Sequence, residues 1–208
     1  MTINQTKIKA IIFDWGGVCC QEGEPFSSRA LQETLGLTPK EIAEKAQSIY
    51  LGYYQGQYNG EIFWQKIINF FNLRMTADLA PHFLSQAYLN SYSVYPEILA
   101  LVAKLKERYP VGLLSNLTPE MRDWIIAKHQ LKKIFSTQVY SCDPDVAALK
   151  PDPKPYLIIC QKLKVEPNDC LFIDNSPKNI KAAQALGMQT ILFSNPLEFL
   201  KEIEILYE

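Results

Sequence analysis

From Ile8 to Phe13 the chain reads IKAIIF, a short apolar run rich in β-branched residues that stops at Asp14 and a Gly16-Gly17 pair. A run of this length closed by a turn signal predicts a buried strand followed by a tight turn. Residues 26 to 92 then show helical spacing only. Thr38-Pro39-Lys40-Glu41 has the form of a capping box with proline at the first helical position, and Ile42, Ala46, Ile49 and Tyr53 follow on one face. Asn59 is placed to cap a helix presenting Phe63, Ile67 and Phe70. A further helix carries Leu79, Phe83 and Tyr88.

From Tyr95 the two rhythms alternate. A helix bearing Ile98, Leu101, Val102 and Leu105 leads to a strand at Val111 to Leu114, and Thr118-Pro119 opens the next helix. Strands at Phe135 to Tyr140, Leu171 to Ile173 and Thr190 to Phe193 are separated by helices opened by Asp152-Pro153 and Ser176-Pro177, the latter ending at Gly187. Asn195-Pro196 opens a last helix. Strands joined through helices by short connections predict an α/β fold, a Rossmann-like parallel sheet covered on both faces. The helical stretch then reads as an insertion: a core of residues 1–18 and 94–208, and a helical cap of residues 19–93.

Composition narrows the class. Hydrophobic residues are 48% of the 208 and charged residues 21%, with 21 basic and 22 acidic side chains for a net charge of −1. Nucleic-acid and membrane-surface binders carry a basic surplus, so neither partner is expected. No apolar run is long enough to span a bilayer, and the polar stretch Met1 to Lys9 does not read as a signal peptide. The five cysteines (Cys19, Cys20, Cys142, Cys160, Cys170) and two histidines (His82, His129) form no ligand-spaced cluster. A disulfide framework or zinc site is not expected, Cys19-Cys20 reads as packing, and a cytoplasmic setting fits.

In parallel sheets the ligand site lies beyond the carboxyl ends of the strands. Asp14, Ser115-Asn116 and Asp174-Asn175 stand there, and Lys150 lies in a loop just before Pro151. A carboxylate nucleophile, hydrogen-bonding groups and a cation are what attack on a phosphate requires, with a metal ion to screen the two anions. At helix-opening or strand-closing positions, Asn179 reads as structural and Trp15 as either packing or site lining.

Four segments in order, IIFDWGGV, LLSN, the lysine of LKPDPKPY and LFIDNSPKNIKAAQALGM, resemble the haloacid dehalogenase superfamily, and more closely its phosphatases with a helical cap after the first strand. The resemblance implies Asp14 as the nucleophile that forms an aspartyl-phosphate and binds Mg²⁺. It implies Ser115 and the Asn116 backbone N–H as phosphate donors, and Lys150 as the neutralising cation. Asp174 and Asn175, with the Gly16 carbonyl, are the implied Mg²⁺ ligands, and a small phosphorylated metabolite is the implied substrate. Two positions depart from the pattern. Gly16 stands where the family usually has a general-acid Asp, a group that contributes about 10² to 10⁴ in rate, so a preference for good leaving groups is expected. Asn175 stands where the family has a second metal acid, so weaker Mg²⁺ binding is expected. These departures leave two alternatives: a metal-free 2-haloacid dehalogenase, and a phosphate-binding protein without turnover. Arg29 is the only arginine before residue 74 available to a haloacid carboxylate. Substrate identity and oligomeric state are not legible in the sequence.

Overall fold

A computed structural model of the chain describes residues 4–206; Met1 to Ile3, part of the polar N-terminal stretch, lie outside it. The first apolar run forms β1 (Ala10–Phe13), all four residues buried. The alternating half of the chain supplies β4 (Val111–Ser115), β5 (Thr137–Tyr140), β6 (Cys170–Asp174) and β7 (Gln189–Leu192). They make one parallel sheet in the order β5-β4-β1-β6-β7, with Phe13 level with Leu113 on one side and Ile173 on the other. The expected α/β sheet is therefore observed, with β1 at its centre.

The period-2 alternation of a strand divides its side chains between two faces. Ile11, Phe13, Leu113, Leu171 and Ile173 enter one core, while Ala10, Ile12, Leu114, Cys170 and Phe172 enter the other. The second core is closed by α9 (Pro153–Leu163), through Tyr156 and Ile159, and by α10 (Pro177–Ala185), through Ile180 and Ala183. The first is closed by α6 (Pro96–Leu105), α7 (Pro119–His129), α8 (Leu131–Ile134) and α11 (Pro196–Ile203). Proline begins all of these but α8, as its fixed φ and missing N–H favour.

Between the first strand and α6 lie α1 (Arg29–Leu35), α2 (Pro39–Lys45), α3 (Gln47–Tyr54), α4 (Gly60–Phe70) and α5 (Pro81–Leu89). The capping box at Thr38 is formed in both directions, and Asn59 caps α4. The two chain crossings into this helical group pair as short antiparallel strands, β2 (Cys20–Gln21) and β3 (Ser93–Val94), which the sequence reading did not anticipate.

Two core assignments are corrected. Phe70 and Phe83 are about half exposed. In α4 the buried stripe runs through Phe63, Trp64, Ile67 and Ile68, which turns the helix so that Phe70, its last residue, falls at the stripe's edge. In α5 the helix begins only at Pro81, so Leu79 belongs to the preceding turn. The buried face is Leu84, Ser85, Tyr88 and Leu89, with Phe83 opposite. Ile42 and Ala46 pack as expected, although the chain breaks there into α2 and α3. Among the described residues no helix is long and apolar enough to cross a membrane, and all five cysteines are buried and free.

Candidate active site

Because β1 is flanked by β4 and β6, the residues that close these three strands are neighbours. Asp14 follows β1, its backbone N–H donating to the Ile173 carbonyl at 2.9 Å. Ser115 is the last residue of β4 and Asp174 the last of β6. All three are buried.

Lys150 joins them from the loop before α9. Its Nζ lies 2.9 Å from Asp14 Oδ1 and 2.6 Å from Asp174 Oδ2. The loop is fastened by Asn116, whose side-chain Nδ2 donates to the Lys150 carbonyl at 3.0 Å and whose Oδ1 accepts from the Lys150 backbone N–H at 2.8 Å. A single amide thus sets the height of the lysine between two acids, a task that the sequence reading did not give to Asn116.

The Asp174 carboxylate is wholly committed. Oδ1 accepts from the Ser176 N–H at 2.8 Å, Oδ2 accepts from Lys150, and Asn179 Nδ2 donates to both oxygens at 3.1 and 3.0 Å. Asp174 has no exposed surface. Asn179, one turn into α10, therefore orients the acid that orients the lysine.

Burial works against the Lys150 ammonium, but the two carboxylates outweigh it and hold its pKa above the ordinary lysine value. Lys150 is a cation shared by two acids. Burial pushes the Asp14 carboxyl up to about 7; the Lys150 charge opposes this, Asp174 adds to it, and the Ser115 hydroxyl counteracts by hydrogen bonding. Asp14 also accepts from the Trp15 N–H at 2.7 Å, which fixes the carboxylate's rotation.

These groups open onto a cavity of about 360 Å³ whose lining includes Asp14, Ser115, Asn116, Lys150, Asn175 and Lys178. Gly16 and Glu22 line it as well. Every site residue expected from the sequence, apart from the enclosed Asp174, borders this one hollow. Gly17, at φ +76°, faces the Asn175 amide so closely that a Cβ would lie 2.0 Å from its Nδ2. Glycine is required there for both reasons. Trp15 is packing: it is 2% exposed, with Tyr92 and His129 as ring neighbours.

Glu22 was not anticipated. It lies eight positions beyond the nucleophile with no motif around it, and only the turn brings it back. Burial raises its carboxyl, with Glu24 adding and Lys150 opposing, although the residue as a whole is exposed at the cavity mouth.

The oxygen donors that the sequence pattern assigns to a divalent cation, the Asp14 carboxylate, the Gly16 carbonyl and the Asn175 amide, come from residues that all border this cavity, as does Glu22. Among the described residues no group of three or more acidic, histidine or cysteine side chains is placed to hold a metal. Asp174 would have to surrender a hydrogen bond to take part. Mg²⁺ commonly binds through one or two carboxylates, waters and a substrate phosphate, so this oxygen-only set fits it, with the phosphate as a principal ligand.

The haloacid dehalogenase-like hydrolase family matches residues 8–187. Among curated proteins, the chain is 31% identical over 120 residues to (S)-2-haloacid dehalogenase 4A of Burkholderia cepacia, covering 56% of this chain and 51% of that one. It is 26% identical over 117 residues to phosphoglycolate phosphatase of Yersinia pestis, covering 56% and 50%. It also matches 75 residues of mouse bifunctional epoxide hydrolase 2 at 36% identity, 36% of this chain and 13% of that one. The matches thus span about half or less of these relatives' length. Among solved structures, a Bacteroides thetaiotaomicron enzyme of the same family, in complex with magnesium and inorganic phosphate, superimposes with a TM-score of 0.78 at 22% identity, covering 93% of this chain and 98% of that one. The fold, the strand-end residues and the family match over 180 positions agree, and the chain belongs to the haloacid dehalogenase-like hydrolases, an enzyme family.

Proposed function

We propose that this hydrolase cleaves phosphate monoesters by phosphoryl transfer to Asp14, with Mg²⁺ as cofactor and a small phosphorylated metabolite as substrate. The observation that carries the reading is the Asp14–Lys150–Asp174 chain of contacts, with Asp14 and Lys150 facing one cavity and Asp174 enclosed behind them. Lys150 neutralises the nucleophile and stands beside the place an incoming phosphate must occupy. Ser115 and the Asn116 backbone N–H would donate to its equatorial oxygens, the groups that accumulate charge in the transition state. Mg²⁺, when bound at Asp14, Gly16 and Asn175, would supply the remaining charge screening. The magnesium and phosphate in the Bacteroides thetaiotaomicron relative, and the phosphatase among the curated relatives, support the same assignment. Helices α1 to α5 would act as the cap, excluding water and selecting the substrate.

Asp14 Oδ attacks phosphorus, the bond to the ester oxygen breaks, and the alcohol leaves. Water then attacks the phosphorus of the aspartyl-phosphate and frees the carboxylate. The Lys150 cation remains in contact with Asp14 throughout, and Asn116 and Asp174 prevent its withdrawal.

Carbon–halogen displacement by Asp14 is the second reading, favoured by the lack, among the described residues, of a group of three or more acidic, histidine or cysteine side chains placed to hold a metal, and by the dehalogenase relative. Against it, Arg29 is on the surface, paired with Glu33 at 2.6 Å with its side chain 90% exposed. Hydrolysis of p-nitrophenyl phosphate and a metabolite-phosphate panel, with and without Mg²⁺, tests the assignment. Wild type is expected to need Mg²⁺ and Asp14→Asn to be inactive. Halide release from chloroacetate unaffected by EDTA, with no phosphate released, overturns it.

A further inference from the structure

Transfer of a phosphoryl group to Asp14 leaves an alkoxide that needs a proton, and the residues already assigned supply none. Asp14 is the nucleophile, Lys150 is held as a cation by two acids, and every oxygen of Asp174 is committed. The remaining carboxyl on the cavity wall is Glu22. Among the described residues no hydrogen bond or ion pair claims it.

Its position is set by the backbone. The turn after Asp14 folds back on itself, with Cys20 N–H donating to the Trp15 carbonyl at 3.2 Å and Gly17 N–H to the Cys20 carbonyl at 2.8 Å. β2 is then held by β3 through Cys20↔Val94 and Gln21↔Ser93. Glu22 follows at once and is returned to the nucleophile's turn. A Cβ built on Gly16 would touch its carboxyl arm, 3.5 Å from Cγ and 3.6 Å from Oε1. Space that a side chain at position 16 would enter is thus faced by a carboxyl from position 22.

A second cavity, of about 290 Å³, is lined by Phe26, just before α1, and by Lys40, Tyr50 and Tyr54 of the helical group. Glu22 is the one residue that lines both. An ester with its phosphoryl group beside Asp14 and its alcohol portion toward these side chains would pass Glu22 between the two.

Resting on the phosphatase reading, we propose that Glu22 is the general acid and base of this enzyme. As the bond between phosphorus and the ester oxygen breaks, the electron pair passes to that oxygen, which takes the proton of the Glu22 carboxyl and departs as the alcohol. The Glu22 carboxylate then removes a proton from water as the water oxygen bonds to phosphorus. The bond from phosphorus to Asp14 breaks, phosphate leaves, and both side chains regain their starting states. With the acid supplied in this way, Gly16 does not restrict the enzyme to good leaving groups.

The test is the leaving-group dependence of kcat/KM, which covers the steps through departure of the alcohol and not the later hydrolysis, for Glu22→Gln and Glu22→Ala on p-nitrophenyl phosphate and on glycerol phosphate, at a Mg²⁺ concentration that saturates the wild type. p-Nitrophenolate departs without a proton, whereas an alkoxide does not. Both variants are expected to lose about 10²- to 10⁴-fold on glycerol phosphate and less than about tenfold on p-nitrophenyl phosphate. Glu22→Asp is expected to recover part of the glycerol phosphate activity. Equal losses on both esters, or a loss reversed by raising Mg²⁺, overturn the assignment and leave the phosphatase reading standing. Wild type inert on both esters overturns the two together. Glu22 is exposed at a loop, and an unchanged melting temperature in both variants separates lost chemistry from lost fold.

Discussion

Asp174→Asn isolates the contact on which the site's geometry depends. The side chains of Lys150 and Asp174 are 1% and 0% exposed and meet at 2.6 Å. At an effective dielectric near 20, two unit charges at that distance attract by about 6 kcal/mol, much of which offsets the cost of removing both from water. Removing one partner relieves only its own share of that cost and leaves the buried ammonium's share less compensated. Such single deletions destabilise by about 3–5 kcal/mol. Asp14, 2.9 Å from the same ammonium, remains as a counter-charge and argues for the lower end. The new amide also turns a donor toward Lys150, Ser176 or Asn179, where all neighbours are donors. We therefore expect a loss of about 3 kcal/mol, a large part of the 5–15 kcal/mol typical of a domain. Urea unfolding followed by tryptophan fluorescence measures it, and kcat/KM on p-nitrophenyl phosphate should fall at least about tenfold as Lys150 loses its second anchor. Asp145→Asn is the control. Lys162 and Asp145 meet at 2.9 Å, but their side chains are 40% and 58% exposed, so its removal should cost less than about 1 kcal/mol. If Asp174→Asn also costs less than about 1 kcal/mol, the argument from burial is wrong.

Gly17→Ala adds a Cβ 2.0 Å from Asn175 Nδ2 at φ +76°, and should cost about 1–3 kcal/mol from backbone strain alone. Because Asn175 must move, the Mg²⁺ concentration for half-maximal activity should rise; an unchanged melt and an unchanged Mg²⁺ curve would contradict this. His129 has its pKa lowered by burial and then by Lys128, while its Nε2 meets the Tyr92 hydroxyl at 2.9 Å. A depressed folded-state value means the unfolded chain takes up the proton first. Stability is therefore complete above the unfolded value of about 6.5 and falls as pH drops through it toward the folded value. His129→Gln should show a shallower fall in melting temperature over that window, and parallel curves for the two proteins would refute the assignment.

Much of this was legible because the chain punctuates itself. Thr118, Asp152 and Asn195 cap helices whose next residue is proline, and the apolar runs between them have strand length. The carboxyl ends of those runs mark Asp14, Ser115 and Asp174 from the sequence alone. What stayed hidden depends on three-dimensional return paths. β2 and β3 are two residues each, too short for any periodicity, and they meet across more than seventy positions. Glu22 gains its place only through that pairing. Asn179 reads as a structural residue in the sequence and is one, but what it holds, both oxygens of Asp174, is visible only with α10 in place. Phe83 shows the limit of spacing alone: the helix starts later than the pattern suggests, and the face rotates away.

The central claim is that Asp14 is the nucleophile and phosphorus its target. Rapid acid quench of enzyme mixed with p-nitrophenyl phosphate and Mg²⁺ in ¹⁸O-water, followed by peptide mass spectrometry, tests it directly. A phosphorylated peptide carrying the modification on Asp14, with ¹⁸O appearing in released phosphate and none in the Asp14 carboxylate, is the predicted result. Turnover with no phosphoryl group on Asp14 at any quench time, or ¹⁸O entering that carboxylate, would contradict it.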